Sequence, residues 1–166
     1  TVIGNRFPNF EYSVSLGASW KGFDLSLLGQ GVSGVDHYAS GWGLRPFYQG
    51  TPISQDYIDH MWTEEHTNAK YPRLYFADMG GTKNQRESTY WLYDGSYFRL
   101  KNLTFGYTLP KALTQKAKIQ RLRVYFSGDN LLTFTKFDKG FDPESPEGGS
   151  SYPQVKTNTF GLNITF

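Results

Sequence analysis

Apolar side chains recur at every second position along several stretches of this chain, the period of a β-strand whose successive side chains point to opposite faces. From Asn9 to Trp20 the pattern sets Phe10, Tyr12, Val14, Leu16, Ala18 and Trp20 against Glu11, Ser13, Ser15, Gly17 and Ser19. Lys21-Gly22 reads as a two-residue turn, after which Phe23, Leu25 and Leu27 alternate with Asp24 and Ser26 until Gly29-Gln30-Gly31 weakens the pattern, so the first two strands form a hairpin. A third strand is expected between Tyr90 and Leu109. Phe98 and Leu100 share one parity there and Leu103, Phe105, Tyr107 and Leu109 the other, and a bulge near Lys101 and Asn102 would return them all to one face. The fourth, Ile119 to Thr133, sets Leu122, Val124 and Phe126 against Arg121, Arg123, Tyr125, Ser127 and Asp129. The fifth, Lys156 to Phe166, puts Phe160, Leu162, Ile164 and Phe166 on one side and Gly161, Asn163 and Thr165 on the other.

One face of these strands suits lipid and the other water. A bilayer admits only helices and closed barrels, because each unsatisfied backbone group costs several kcal/mol there, and a barrel strand crosses it in roughly 9 to 11 residues. Short connections, at Lys21-Gly22 and from Pro110 to Lys118, alternate with long ones, from Gly34 to Thr89 and from Lys136 to Pro153, as periplasmic turns alternate with extracellular loops. Trp20 and Phe23, with Tyr107 near them, fall in the inner aromatic girdle. In the first long loop Ser54 reads as a helix N-cap, with Ile53 and Ile58 as a hydrophobic staple and Ile58, Met61 and Trp62 at helical spacing, which predicts one short surface helix. The expected fold class is all-β, an antiparallel transmembrane β-barrel segment. Five strands cannot close a barrel, whose practical minimum is about eight, so the remaining strands are expected outside residues 1–166. The start at Thr1-Val-Ile-Gly, without a charged-then-apolar leader, is read in the same sense, as a fragment.

Composition agrees with strands and girdles: aromatics make up 17% of the chain and there are 18 glycines. Mean hydropathy is −0.53 and no apolar run is long enough for a spanning helix, which removes helical membrane proteins and leaves barrels untouched. No cysteine is present, so disulfide frameworks and thiolate metal sites are excluded. A net charge of +2 with no long basic stripe argues against a nucleic-acid partner.

Two long composite segments, Tyr93-Asp-Gly-Ser-Tyr-Phe-Arg-Leu-Lys-Asn-Leu-Thr-Phe-Gly-Tyr-Thr-Leu-Pro110 and Leu122-Arg-Val-Tyr-Phe-Ser-Gly-Asp-Asn-Leu-Leu-Thr-Phe-Thr135, resemble the C-terminal end of SusC/RagA-type TonB-dependent transporters. Gly22-Phe-Asp-Leu-Ser26, Asn68-Ala-Lys-Tyr-Pro-Arg73 and Phe141-Asp-Pro-Glu144 resemble further family segments in the expected order. The resemblance implies about five C-terminal strands of a roughly 22-stranded outer-membrane barrel with an N-terminal plug. It also implies a SusD-like surface lipoprotein as lid, and uptake of oligosaccharides or peptides driven through TonB. It places the protein in the outer membrane of a Bacteroidetes-like Gram-negative cell. The remaining barrel, the plug and the TonB-contacting part would lie elsewhere. A terminal aromatic on an alternating last strand resembles the family's assembly signal, carried here by Phe160, Leu162, Ile164 and Phe166.

Sugar rings pack on aromatic faces while hydroxyls meet Asn, Asp, Gln and Arg. Trp42, Tyr48, Trp62, Tyr71, Arg73 and Tyr90 are therefore candidate ligand contacts in the long loop, against the plainer reading of loop packing or contact with the lid. Arg121 and Arg123 are lumen candidates that would otherwise pair with neighbouring carboxylates, such as those of the plug. His60, Glu64, Glu65 and His66 lack the HExxH spacing of a zinc enzyme. No cofactor is expected; a loop Ca²⁺ site at Asp138, Asp142, Glu144 and Glu147 has acidic residues but no EF-hand pattern. Gly80-Gly81-Thr82-Lys83 lacks the order of a phosphate loop, and the sequons at Asn102 and Asn163 sit inside strands. Lys111, Lys116 and Lys118 form a small basic turn facing water or phosphate headgroups. No catalytic triad emerges, and no enzyme is expected. Two alternatives share the alternation: a soluble β-sandwich carbohydrate-binding module, whose apolar faces would bury each other, and a non-energised porin or adhesin barrel.

Overall fold

The computed structural model describes residues 3–38, 46–47, 52–74, 84, 88–137, 141–145 and 152–166. They fall into two compact units, one of Pro8–Gly34, Ser96–Lys136 and Gln154–Phe166, the other of Thr1–Phe7, Val35–Gly95 and Phe137–Pro153.

The first unit is a five-stranded antiparallel sheet of β1 (Phe10–Trp20), β2 (Phe23–Ser33), β5 (Tyr97–Thr108), β6 (Arg121–Thr135) and β7 (Thr157–Thr165), adjacent in that order. The expected hairpin forms with Trp20 opposite Phe23 and Phe10 opposite Ser33. The turn between them is tight because Lys21 and Gly22 both take positive φ, at 48° and 90°. The bulge lies where parity demanded it. On β2 the consecutive residues Leu28 and Gly29 face Asn102 and Leu100, and Lys101 is the extra residue. Against β6, Asn102 faces Asp129 and Leu100 faces Leu132, with Asn130 at φ 53° in the irregular step.

Consequently, apart from Leu28 and Val32 on β2, the alternating aliphatic and phenylalanine residues of the five strands share one face. Rows such as Leu25–Phe105–Phe126–Phe160 run straight across four strands. Phe23 stacks on Phe105 at 5.8 Å and lies tilted against Tyr107 at 4.4 Å, so the three rings cluster beside Trp20 at the short turn. This face is uncovered: Trp20, Phe134 and Phe160 are 68%, 62% and 82% exposed. That overturns the β-sandwich alternative, which needs those rings buried against a second sheet.

Glycines on both faces are filled from neighbouring strands. Tyr12 lies over Gly31, Phe98 over Gly29 and Tyr125 over Gly161, so β2 continues through Gly29 and Gly31 to Ser33 instead of fading there.

The second unit holds β3 (Asp36–Tyr38) paired antiparallel with β4 (Leu92–Asp94), the helix α1 (Gln55–His60), and a single-turn 3₁₀ helix at Thr89–Trp91. The third expected strand therefore divides: Leu92–Asp94 pairs with β3, and the long strand starts at Tyr97 rather than near Tyr90. Ser54 caps α1 as expected, its hydroxyl accepting from the Tyr57 N–H at 3.2 Å. The helix stops at His60, because Met61 is extended, and its buried residue is Tyr57. Met61 and Trp62 leave the helix and Ile58 is exposed, so the expected helical spacing of those three does not form. Tyr57, Tyr71 and Trp91 make the core, with Tyr38, Ile53, Met61, Leu74 and Tyr93 packed around it.

Candidate functional site

The polar face of the sheet carries a hydrogen-bonded cluster centred on Asn102. Asn102 Nδ2 donates to Asp129 Oδ1 at 2.8 Å, and the Thr104 hydroxyl lies 3.2 Å from both Asn102 Oδ1 and Ser127 Oγ. These groups face each other because Asn102–Asp129 and Thr104–Ser127 are direct register pairs, with Leu28 and Val32 as apolar exceptions on β2. Both sequon asparagines, Asn102 and Asn163, sit within strands.

Arg123 crosses this face. Its Nε donates to Asp24 Oδ1 at 2.9 Å and its Nη2 to Oδ2, a bidentate pair spanning β6, β5 and β2. The path is open because Gly106 on β5 stands beneath it; a Cβ there would lie 2.5 Å from Arg123 Nη2. Tyr125 also stacks on the guanidinium at 5.0 Å. Arg123 is thus engaged by a carboxylate of the sheet itself. Arg121 opens β6 and is exposed, opposite Thr165. Arg99 is buried on the polar face, bonded through Nε to the Thr133 hydroxyl at 2.9 Å. Sequence reading passed over Asp24 as the partner of Arg123; the signal available was that each belongs to the polar set of its own strand, together with a glycine opposite Asp24.

In the second unit, four of the loop candidates converge. Trp62, Tyr71, Arg73 and Tyr90 line a cavity of 460 Å³ with Ala69, Pro72 and Asn84. Backbone bonding builds it: Met61 and Tyr71 form a parallel bridge, with Trp62 N–H donating to Tyr71 O at 2.9 Å and Tyr71 N–H to His60 O at 3.1 Å. The segment between closes on a Thr63–His66 turn. Arg73 lies over the Trp62 ring at 5.9 Å, and the Tyr90 hydroxyl donates to the Lys70 carbonyl. Asn84, unnoticed in the sequence, ties the wall together by donating to Arg73 O at 3.1 Å and accepting from Trp91 Nε1 at 3.0 Å.

Beside the cavity, Asp56 accepts from the Tyr71 hydroxyl at 2.6 Å and from Lys70 Nζ at 2.9 Å. The Tyr71 hydrogen bond and then Lys70 hold its carboxyl down at about 2. Burial, reinforced by Tyr93, pushes the Tyr90 phenol up. Tyr71 is committed throughout, its hydroxyl to Asp56 and its ring to Tyr57, stacked at 4.4 Å, with Lys70 Nζ 4.6 Å from the ring centroid, so it braces the cavity wall. Trp42 and Tyr48 lie outside the described residues.

His60 Nδ1 is occupied by the Asp56 backbone carbonyl at 2.9 Å, and no metal-holding group of three or more side chains occurs among the described residues. Of the acidic loop, Asp138 and Glu147 lie outside the described residues, as do Gly80-Gly81-Thr82-Lys83. Asp142 Oδ1 accepts from the Glu144 N–H at 2.9 Å in a local turn. On β7, Phe160, Leu162 and Ile164 occupy the apolar face with partners Phe126, Val124 and Leu122, and Phe166 follows them, exposed.

No family model matches the sequence. TonB-dependent receptor P3 of Formosa agariphila is 34% identical over 99% of this chain, and TonB-dependent receptor SusC of Bacteroides thetaiotaomicron is 34% identical over 48% of it. Among solved structures, the RagAB peptide importer in its 'closed-closed' state superimposes with a TM-score of 0.70 at 30% identity, covering 99% of this chain and 18% of that one. The 'open-open' state gives 0.69 at 30% identity over 98% of this chain. The chain spans 17% of the length of receptor P3 and 8% of that of SusC. These relatives are transporters rather than enzymes. With an uncovered apolar face, a hydrogen-bonded polar face and this likeness along nearly its whole length, the chain belongs to the TonB-dependent receptors of SusC/RagA type.

Proposed function

We propose that these residues are C-terminal barrel wall and outer loops of an outer-membrane, TonB-dependent nutrient importer that takes up oligosaccharides or peptides with a SusD-like surface lipoprotein. The observation that carries this reading is the two-faced sheet. Its uncovered rings suit hydrocarbon, its polar rows suit a wet lumen, and both faces occur in a segment that superimposes on a peptide importer. The outer strands β1 and β7 each have one ladder partner among the described residues, and further strands must pair with them before the sheet can sit in a bilayer. The residues here contribute wall, lumen lining and the loop cavity. Energy coupling belongs to the plug and the TonB-contacting part of the full transporter.

The cavity is the candidate for ligand capture, since the Trp62 and Tyr90 rings and the Arg73 guanidinium suit the C–H faces of sugars and the side chains or carbonyls of peptides equally. The test is uptake of a labelled oligosaccharide series and a labelled peptide series by cells carrying or lacking the full-length transporter, with membrane fractionation. Outer-membrane location and loss of uptake of one series on deletion are expected. Recovery in the soluble fraction, or uptake of both series unchanged, would sink the reading.

A further inference from the structure

The short-turn end of the sheet carries an unbalanced positive charge. Among the described residues, Lys21, Lys111, Lys116, Lys118, Arg121 and Arg123 lie there against one acidic side chain, Asp24, which Arg123 already holds. The two turns are neighbours, joined where Thr108 N–H donates to Gly22 O at 2.8 Å. All four lysines are exposed.

The segment Pro110–Lys118 is ordered. Helix α2 (Lys111–Thr114) runs into a 3₁₀ turn, Thr114 is buried, and Ile119 N–H returns to Thr114 O at 3.1 Å. Lys21 and Lys118 both occupy left-handed backbone positions, at φ 48° and 57°. Glycine or asparagine fits such positions with less strain, so lysine there is unexplained by backbone geometry alone. Apolar groups accompany the charge: Trp20 and Leu113 are 68% and 66% exposed, and Lys21 Nζ lies over the Trp20 ring at 4.8 Å, which holds an ammonium beside an outward-facing aromatic.

We infer that this rim is an interface for the phosphate headgroups of anionic phospholipids in the inner leaflet, with Trp20 and Leu113 entering the acyl boundary and the lysines meeting phosphate. The inference rests on the barrel reading above. Charge complementarity selects the occupant, because a cluster of cations with its one carboxylate neutralised attracts phosphate, and the exposed apolar groups beside it suit lipid better than a soluble anion.

The test reconstitutes the full-length transporter in nanodiscs of mixed phosphatidylglycerol and phosphatidylcholine and measures which lipid stays bound by native mass spectrometry. Phosphatidylglycerol should be enriched around the wild type, by about fivefold for each ammonium that reaches a headgroup, and added salt should reduce the enrichment. The combined variant Lys21→Asn, Lys111→Gln, Lys116→Gln and Lys118→Asn, chosen to suit the turn geometry, should lose it. The four corresponding Lys→Arg changes should keep it. Equal enrichment in the neutral variant, or none in the wild type, overturns the inference, as does free inorganic phosphate displacing the bound lipid's effect completely. If the combined variant fails to insert, Lys21→Asn alone is read against its Lys→Arg counterpart. Failure of the wild type to insert in any disc would instead count against the barrel reading.

Discussion

Arg123 and Asp24 are separated by a whole strand and still form a bidentate ion pair, because the residue between them, Gly106, has no side chain to block the guanidinium. The pair ties β2 to β6 across β5 at the short-turn end of the sheet, in addition to the backbone ladders.

Gly106→Ala should break this pair while sparing the backbone, since the new Cβ meets only the far end of a flexible arginine, 2.5 Å away. With Asp24 37% exposed, solvent screening keeps the expected loss to about 1 kcal/mol. Gly106→Ala and Arg123→Ala should therefore be non-additive in thermal unfolding of the full transporter, the second change adding little to the first. Additive effects would show that the pair contributes nothing.

Gly31→Ala is a harsher change of the same size. Its Cβ would lie 2.6 Å from the Tyr97 carbonyl oxygen as well as against the Tyr12 ring, so β2 and β5 must separate locally. A loss of roughly 1–3 kcal/mol is expected, larger than that of Gly106→Ala in the same assay. The reverse order would mean that the strands can relax around Gly31 more readily than their register suggests.

Trp62→Ala removes one ring of the cavity and the face on which Arg73 lies. Under the proposed function, ligand affinity of the full transporter with its lipoprotein partner should fall about tenfold, the order of one stacking contact, while outer-membrane insertion stays unchanged. Calorimetric titration checks the first and membrane fractionation the second. Unaltered affinity would return Trp62 to loop packing.

The Asp56 carboxyl, held at about 2 against an ordinary 3.8, favours the folded loop while it is ionised. That contribution is complete above about pH 4 and is lost as pH falls toward the folded value of about 2. Fluorescence of the buried Trp91 should report loosening of the Tyr57–Tyr71–Trp91 core in that window, and Asp56→Asn should flatten the response. An identical acid profile in the variant would detach the Asp56–Tyr71–Lys70 cluster from loop stability.

Much of the wall was legible from period alone. The bulge at Lys101 followed from a change of parity that only an extra residue can reconcile, and the Trp20, Phe23 and Tyr107 cluster followed from the position of the turn. Less was legible in the long loop. Leu92–Asp94 has strand-like residues in line with the third strand, and nothing local reveals that its partner is Asp36–Tyr38. The helical pattern over Ile58, Met61 and Trp62 ran past the true end at His60 because the bridge from Met61 to Tyr71 pulls that backbone into an extended form.

Candidate contacts divide in the same way. Aromatic and arginine side chains suited to a hydrophilic ligand could be picked by type, and four of the six loop candidates line one cavity. Asn84, which bonds the wall residue Arg73 to the core residue Trp91, has no sequence signature.

By itself the sequence determined which residues share the apolar face and which the polar one, because alternation is a property of each strand separately. Tertiary structure decided which side chains meet: Arg123 with Asp24, Tyr125 over Gly161, Trp62 beside Tyr90. Those meetings depend on register between strands distant in the chain and on the gaps that glycines leave, and both come into being only when the strands are laid side by side.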